Sequence, residues 1–388
     1  MPDIYGIDGD GLALRKLAAE IADTVIAKHA AEVDARARFP EESIKALGEA
    51  KLLGLCVPTA QGGLGQGPAV FAAVVEEVAK RCASTAMVYV MHVSAAKMIE
   101  ASTTLENKQA ILGEIARGQH LTTLALSERG SRSQFWAPVS KLVKSGTGFT
   151  TSAFKSWSTS AHNVKTFVSS AQMPGASSPA ESTLYLLPRD RSGVRVAGTF
   201  DGLGLRGNDS APVSIEDAEV TSGDLITEQG KGAAGMLEVI LPWFNVGSSA
   251  MANGLCLASV AATQQHLSGT SFEHTGSQLR DLPTLRAKLA EMSLKTELSR
   301  ALLGHTLAQM AAPSEVTPLY VLQTRLAALK AAVEVTDLAM QSCGGAAFSK
   351  HLPLERNFRD ARAGWVMAPT VDHLADFVGR ALTGLPLL

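Results

Sequence analysis

The hydrophobic period of this sequence changes twice, and this constrains the fold more than any other feature. Up to about residue 118 apolar side chains recur at helical spacing, and they do so again from about residue 232. Between these regions, short apolar runs alternate with Gly, Ser, Asn and Asp, a pattern typical of strands and turns. The order predicts an N-terminal helical domain over 1–120, a central β-barrel or sandwich over 121–229 and a C-terminal four-helix bundle over 230–388.

Individual elements follow from the same periodicity. Helices are predicted over residues 10–38, 41–54, 67–81, 84–102 and 105–117. Strands are predicted near 122–126, 167–170, 183–187, 193–196 and 213–215. In the C-terminal part, Leu319, Leu322, Leu326, Leu329 and Val333 form a stripe with a period of about 3.5, which is typical of a helix bundle and of an oligomer interface.

Composition excludes several classes of protein. The net charge of -2 leaves no basic field for nucleic acid. No run of about 18 apolar residues is present, so no membrane span is expected. The first residues lack the pattern of a secretion signal, and the four cysteines are scattered through apolar stretches without metal-ligand spacing. We therefore expect a cytoplasmic protein with reduced thiols, no metal and no nucleic-acid partner.

A glycine pair and a charge cluster mark the C-terminal region. A long apolar helix runs into Gly344-Gly345, where bare backbone lets a phosphate come close, although a plain helix cap would have the same sequence. Pro353 follows in a loop. The charged residues Glu355, Arg356, Arg359, Asp360 and Arg362 then open a further helical stretch.

This string resembles the acyl-CoA dehydrogenase family. The family pattern is Gln-x-x-Gly-Gly-x-Gly-Tyr/Phe, then Pro-x-Glu-Arg-x-x-Arg-Asp-Ala-Arg/Lys, then Tyr-Glu-Gly-Thr. The matching residues are Gln341, Gly344, Gly345, Phe348, Pro353, Glu355, Arg356, Arg359, Asp360, Ala361, Arg362 and Thr370. The resemblance extends over essentially the whole chain. It implies the helical, β, helical fold predicted above, with FAD between the β-domain and the C-terminal bundle.

Two further strings carry the same resemblance in the β-region. Leu126-Ser127-Glu128-Arg129-Gly130-Ser131-Arg132-Ser133 is similar to the family's Leu-Thr-Glu-Pro-x-Ala-Gly-Ser-Asp, which lines the flavin and its pyrophosphate. Lys155-Ser156-Trp157-Ser158-Thr159 is similar to Lys-x-Trp-Ile-Thr. The resemblance implies cofactor contacts from Leu126, Ser127, Arg132, Ser133, Trp157 and Thr159. Arg129 and Arg132 replace a proline and a glycine. They would favour a phosphate electrostatically, although Arg132 could instead intrude on the cofactor.

The remaining cofactor contacts come from the C-terminal region. The family's Arg-x-x-Phe-Gly signature falls near Phe272, but its arginine is missing, and Arg280 in a short insertion is an alternative. Gln341, Gly344, Gly345, Thr370 and Asp372 complete the expected cofactor set. The turn around Arg206 resembles the family's Gly-x-Arg-Gly-Ser turn, and we expect Arg206 to be structural or to line the substrate site.

The position of the catalytic glutamate is occupied by Ala368. Removing the α-proton of an acyl thioester needs a positioned base, which contributes about 10²–10⁴-fold to the rate. Glu238, Asp372 and His373 are the nearby candidates for a relocated base. The chain is thus an atypical member by resemblance, and its catalytic residue is unknown from sequence.

Four functions fit this pattern. The first is an FAD-dependent oxidoreductase on an acyl-CoA or acyl-carrier thioester with a relocated base, working with an electron-transfer flavoprotein. The second is a flavin-dependent monooxygenase that uses reduced flavin, O₂ and a flavin reductase. The third is a non-redox acyl-CoA lyase that resembles desulfinases, and the fourth is a non-enzymatic flavin-holding relative. A homodimer or homotetramer is expected in each case.

Overall fold

A computed structural model describes residues 3–387 of the chain. Its N-terminal helical part comprises α1 (Gly9–Ile21), α2 (Ala27–Arg36), α3 (Glu41–Glu49), α4 (Pro68–Ala79), α5 (Ala83–Ala101) and α6 (Lys108–Ala116). A five-residue π-helical turn, Ala22–Ile26, joins the first two helices without a break. Helices α4 and α5 are buried almost throughout, which explains why their sequences are apolar on every face.

The central part folds into two packed sheets. Its strands are β1 (Thr122–Ala125), β2 (Leu142–Ser145), β3 (Gly148–Ser158), β4 (Thr166–Gln172), β5 (Ser182–Pro188), β6 (Val194–Val196) and β7 (Ala211–Val220). One sheet has the order β1-β4-β5 and the other has the order β2-β3-β7-β6. Strand β1 pairs with β4 in parallel, and every other strand pair is antiparallel. Phe149, Phe167, Tyr185, Val213 and Ile215 belong to the apolar core between the sheets.

Strand prediction missed the longest strand of this domain. Strand β3 has the sequence GFTTSAFKSWS, in which few side chains are aliphatic and most are polar or aromatic. It pairs with β2 and β7 across the centre of its sheet, so neighbouring strands stabilise an extended conformation that its own residues favour weakly. Strand β2 was missed as well, whereas all five predicted strands are present in the structure.

The C-terminal part is a bundle of long helices. It comprises the short α7 (Gly232–Gly235), then α8 (Leu241–Gly269), α9 (Pro283–Ala311), α10 (Thr317–Phe348), α11 (Leu354–Val366) and α12 (Val371–Leu382). A π-helical turn, Met236–Ile240, precedes α8. Pro242 has no N–H to donate to the carbonyl of Glu238, and the wider turn accommodates that missing hydrogen bond. The predicted order of helical, β and helical regions is confirmed, whereas the domain boundaries at 120 and 229 stay a prediction.

One apolar core joins the two helical parts. Phe71 and Val90 of the N-terminal helices pack in the same cluster as Val246 and Ala250 of α8. The leucine stripe of α10 faces this core, since Leu322 and Leu329 are buried. By length and composition alone the helical stretch Gly232–Gly269 could cross a membrane, but 72% of its most apolar window is buried inside the molecule. This stretch is therefore accounted for as the central helix of the bundle.

Candidate active site

A buried ion pair connects the two segments that resemble flavin-lining segments of the family, residues 126–133 and 155–159. The Nζ atom of Lys155, on β3, lies 2.6 Å from Oε1 of Glu128, and both side chains are buried. Close by, the backbone N–H of Ser156 donates to the carbonyl of Ser127 at 2.9 Å. The structure therefore brings together Ser127 and the Trp157 strand, which lie about thirty residues apart in the sequence, as the family resemblance implies.

The Glu128 carboxylate is saturated by donors. Its Oε2 accepts from the backbone N–H groups of Val139 and Ser140 at 2.8 and 2.9 Å. Its Oε1 accepts from the Ser140 hydroxyl at 2.5 Å. Burial raises the pKa of Glu128, but the Lys155 ammonium and these hydrogen bonds outweigh burial and hold that pKa below its usual value. The pair is consequently a rigid ionised support for the surrounding loop rather than a proton donor.

A β-bulge directs Trp157 outward. The pairing of β3 with β7 slips by one residue between Lys155 and Ser158, so this short segment is released from the ladder. The Trp157 side chain is 63% exposed, and Phe200 touches it edge-on at a centroid distance of 6.4 Å. Thr159 is buried, with its hydroxyl 3.1 Å from that of Ser210. The bulge thus leaves an indole face uncovered beside Ser127.

The two arginines of the first string have different surroundings. The Arg129 guanidinium lies over the Phe154 ring, with its central carbon 4.6 Å from the ring centroid. Arg132 is exposed and has a φ of 54°, in the left-handed region where glycine is favoured. This conformation explains why glycine suits the position in the family string. Arg132 keeps the backbone conformation and adds an exposed charge.

The Gly344-Gly345 turn interrupts α10 and opens onto free space. Gly344 has φ 52° and ψ -129°, which breaks the helix at the predicted point. A methyl group built on either glycine would meet no described heavy atom within 4 Å. Gln341, one turn earlier, accepts from Lys288 Nζ at 3.2 Å. Phe348 projects into solvent with 83% exposure.

Phe272 lies in a separate small hairpin between α8 and α9. Its backbone N–H donates to the Ser277 carbonyl at 2.8 Å, and its ring meets that of His274 at 5.8 Å. Arg280 follows the hairpin and is exposed. Among residues 3–387, no hydrogen bond connects this hairpin or the Gly344 turn to the Ser127–Trp157 region.

The turn around Arg206 docks onto the charge cluster of α11. The N–H of Leu205 donates to Asp360 Oδ1 at 2.6 Å, and Arg206 Nε donates to the Asp34 carbonyl at 2.9 Å. Arg359 holds the carboxylate of Asp34 with two hydrogen bonds of 2.6 and 2.9 Å. These contacts are structural: they tie the β-domain to both helical parts.

Ala368 lies in the turn between α11 and α12, preceding a cis bond to Pro369. Its side chain is a half-buried methyl group. Of the candidate bases, Glu238 and Asp372 are exposed, and His373 is half-buried. The His373 ring packs against Trp136 and Phe377, with its Nδ1 3.3 Å from the Thr370 hydroxyl that caps α12. None of the three forms a hydrogen bond to Ala368.

A cation that the sequence analysis did not single out lies beneath this turn. Arg325, on α10, is completely buried. One terminal nitrogen donates to the Met367 carbonyl at 3.2 Å, and the other lies 3.4 Å from Asn245 Oδ1. Its guanidinium carbon is 4.6 Å from the centroid of the Phe244 ring. An arginine inside the leucine stripe of α10 was the signal that could have identified it.

Comparison with known proteins decides the family. Residues 10–119 match the family model of the acyl-CoA dehydrogenase N-terminal domain, and residues 231–383 match that of the C-terminal domain. The chain belongs to the acyl-CoA dehydrogenase family. The two matched regions lie on either side of the β-domain and cover both helical parts described above.

Relatives and solved structures agree with this assignment. The chain is 27% identical to a probable acyl-CoA dehydrogenase of Bacillus subtilis, YngJ, over 90% of this chain and 91% of that one. It is 28% identical to the mitochondrial short-chain specific acyl-CoA dehydrogenase of Bos taurus, over 90% of this chain and 84% of that protein. Butyryl-CoA dehydrogenase from Megasphaera elsdenii has the same fold, with a TM-score of 0.92 at 22% identity, over 97% and 99% of the two chains.

A further similar chain comes from work on the electron transferring flavoprotein of Acidaminococcus fermentans and flavin-based electron bifurcation. Its TM-score is 0.93 at 25% identity, and the match covers 97% of this chain and 99% of that chain. The family identifies this protein as an acyl-CoA dehydrogenase-like, FAD-dependent oxidoreductase.

The described residues fit an FAD molecule. Trp157 exposes an apolar indole that a flavin ring would cover, and the half-buried Ser127 lies beside it. The bare backbone at Gly344-Gly345 has room for a phosphate. Individual contacts to FAD from the residues predicted above stay predictions.

Proposed function

We propose that the protein oxidises an acyl-CoA or acyl-carrier thioester with a base that is not at position 368. The observation that carries this proposal is the exposed Trp157 face, held beside Ser127 by the buried Glu128–Lys155 pair. Bound FAD would accept the two electrons removed from the substrate. The chain's own part is to hold Ser127 and Trp157 in place and to exclude water where the acyl chain lies.

A residue other than the family's glutamate has to accept the α-proton of the thioester. The Ala368 methyl group has no atom that accepts a proton. Glu238, Asp372 and His373 remain the candidates for the relocated base, and only His373 is sheltered from solvent by neighbouring rings. The imidazole would accept a proton at Nε2 in the tautomer whose Nδ1–H donates to the Thr370 hydroxyl, 3.3 Å away.

Assembly and partners are part of this proposal. Large apolar side chains on α9, α11 and α12 are exposed in the single chain, namely Leu294, Leu298, Val366 and Leu382. Such side chains are typical of a buried interface, and they support a homodimer or homotetramer built through the bundle. We further propose an electron-transfer flavoprotein as electron acceptor and a cytoplasmic location.

An anaerobic flavin titration tests the reaction. The purified yellow protein is mixed with a series of acyl-CoA thioesters, and the flavin absorbance near 450 nm is followed for the wild type and for Ala368→Glu. Bleaching in the wild type supports oxidation with a relocated base. Bleaching in Ala368→Glu alone would mean that the native reaction is not ordinary dehydrogenation. Oxygen uptake with an added flavin reductase would then identify a monooxygenase, and its absence would favour a lyase.

The predicted cofactor contacts are tested by flavin occupancy. Trp157→Ala removes the exposed indole, and Gly345→Leu fills the open space at the helix break. Neither change removes a buried contact, so both variants are expected to fold normally but to carry less flavin after purification. The flavin-to-protein ratio and the melting temperature are measured together, with Val143→Ala on β2 as an exposed control. Full flavin occupancy in both variants would contradict the assignment.

A further inference from the structure

Arg325 and Lys155 are the two cations in residues 3–387 that are completely buried, and they differ in their partners. Lys155 pairs with Glu128, and the partly buried Arg300 and Arg359 pair with Glu76 and Asp34. Arg325 has only neutral partners: the amide oxygen of Asn245, the Met367 carbonyl and the Phe244 ring. Its Nε has no hydrogen-bond acceptor among the described residues. The bundle therefore contains a buried positive charge without a counter-charge from the described chain.

Such a charge is costly unless an anion neutralises it. A guanidinium removed from water loses its hydration, and neutral acceptors replace only part of that loss. Burial alone lowers the pKa of Arg325 to about 9, because the buried site disfavours the charged form of the guanidinium. The planar N–H fork of a guanidinium matches the two oxygens of a carboxylate. The missing partner is thus an oxyanion of that shape.

The location of Arg325 indicates where this oxyanion comes from. Its acceptor, Met367, immediately precedes Ala368, where the family resemblance places a carboxylate and this chain has a methyl group. Met367 and Ala368 are half-buried, and Val366 next to them is 75% exposed. The guanidinium is consequently buried, but it contacts the backbone of a partly exposed turn. A ligand oxyanion that enters at this turn would replace the Met367 carbonyl as acceptor.

We propose that Arg325, supported by Asn245, binds an anionic group carried by the acyl part of the substrate. The substrate class is then an acyl thioester with a terminal carboxylate. This inference rests on the proposed function, because it places an acyl thioester beside Ala368. It adds the chemical identity of the acyl end, which no feature of the sequence alone specifies. Arg325 acts here in binding and specificity and takes no part in proton transfer.

The test compares thioesters that differ only in the terminal group. Dissociation constants of butyryl-CoA and succinyl-CoA, and of hexanoyl-CoA and adipyl-CoA, are measured by isothermal titration calorimetry on the flavin-loaded wild type. In at least one pair, the terminal carboxylate is expected to tighten binding about tenfold or more, the factor typical of a charge-assisted hydrogen bond. Equal affinities within both pairs would refute the proposal. Free succinate is a second probe, and binding of free succinate at the same affinity as succinyl-CoA would equally refute an acyl-end site.

Variants assign the preference to this side chain. Arg325→Met is expected to abolish the preference for the carboxylate while leaving the affinity for the unsubstituted thioester within about twofold, and Arg325→Lys is expected to keep part of it. Lys330→Met, five residues further along the same helix and exposed, is the matched control and should keep the full preference. A preference that survives in Arg325→Met would overturn the assignment. Because the wild-type comparison needs no variant, a folding defect leaves the test intact. Loss of all thioester binding would instead indicate failure of the proposed function.

Discussion

The β-domain and the C-terminal bundle each bury a cation completely, but only one of them supplies a counter-ion. Lys155 meets the Glu128 carboxylate at 2.6 Å, and that carboxylate is further held by Ser140 and the backbone. Arg325 meets two neutral oxygens and a ring face. In the first arrangement the positive charge is neutralised by a carboxylate, and the pair fixes the loop that carries Ser127. The second is incomplete and lies at the turn that carries Ala368, where the resemblance predicts a carboxylate.

The comparison separates structural charge from charge available to a ligand. A buried ion pair whose hydrogen bonds are all made is not stabilised further by a ligand. Removing one partner leaves the other as an uncompensated buried charge. An unsaturated buried charge destabilises the free protein and gains from any anion that reaches it. Four substitutions, ordered by decreasing expected change in stability, test this distinction.

Glu128→Gln should break the saturated pair. The Lys155 ammonium would remain buried without a carboxylate, so the free energy of unfolding is expected to fall by about 3–5 kcal/mol. Urea denaturation of the flavin-free protein measures this loss. The double variant Glu128→Gln/Lys155→Met removes both charges and should recover much of the stability. No recovery in the double variant would show that the loop depends on something other than the charge pair.

Asp360→Asn tests a buried carboxylate that is only partly satisfied. Burial raises the pKa of Asp360 from 3.8 to about 6, even though its Oδ1 accepts from the Leu205 N–H. The folded state then binds more protons than the unfolded state between those values, and wild-type stability falls as the pH rises through that range. Asparagine keeps the acceptor without the charge. The variant should be more stable by at most about 3 kcal/mol above pH 6, a gain that disappears below about pH 4.

Melting curves from pH 4 to 8 measure this dependence, because the gain should grow along the same interval in which Asp360 ionises. A gain that is constant with pH would mean that the variant acts through packing. A loss at pH 8 would mean that the ionised carboxylate is needed to hold the turn around Leu205 on α11.

Arg325→Met is the direct counterpart of the first prediction. Methionine removes the unpaired charge but leaves the Met367 and Asn245 oxygens without a donor, so the two effects partly offset each other. Stability in the absence of thioester should rise by about 1–2 kcal/mol. Urea denaturation under the conditions used for Glu128→Gln makes the comparison like for like. A fall as large as that of Glu128→Gln would show that Arg325 already has its counter-charge in the free protein.

Glu216→Gln is expected to change the free energy of unfolding least of the four substitutions. Glu216 and Arg195 form an ion pair of 3.7 Å on the β-domain surface, with both side chains mostly exposed. Water screens such a pair, and the expected change in the free energy of unfolding is below about 0.5 kcal/mol. A larger change would mean that solvent exposure is a poor guide to the strength of ion pairs in this domain, which would weaken the first prediction as well.

Sequence reasoning predicted much of the fold, whereas the individual cofactor contacts stay a prediction. Helical spacing in residues 67–102 corresponds to α4 and α5, and the Gly344 break occurs at the predicted point. The resemblance linked Ser127 to Trp157, and the structure joins these strands through Ser156 and Lys155. Strand β3 was missed because its mixed polar sequence has no clear alternation, and only its two neighbouring strands make it extended. Arg325 was missed because one polar residue in a leucine stripe does not reveal its partners.

Residue identity and spacing were enough to indicate the family and the order of helical and β regions, and they predict that Ala368 stands where the family has a carboxylate. These properties are local: each depends on residue identity and spacing along a few turns or strands. The folded chain adds what no local pattern contains: Trp157 is uncovered at a bulge, Glu128 is saturated with hydrogen-bond donors, and Arg325 has no carboxylate partner beneath Met367. Charge compensation depends on which side chains meet across α8, α10 and the turn before α12. These contacts join residues up to 81 positions apart, as for Phe244 and Arg325, a separation at which sequence pattern carries no information.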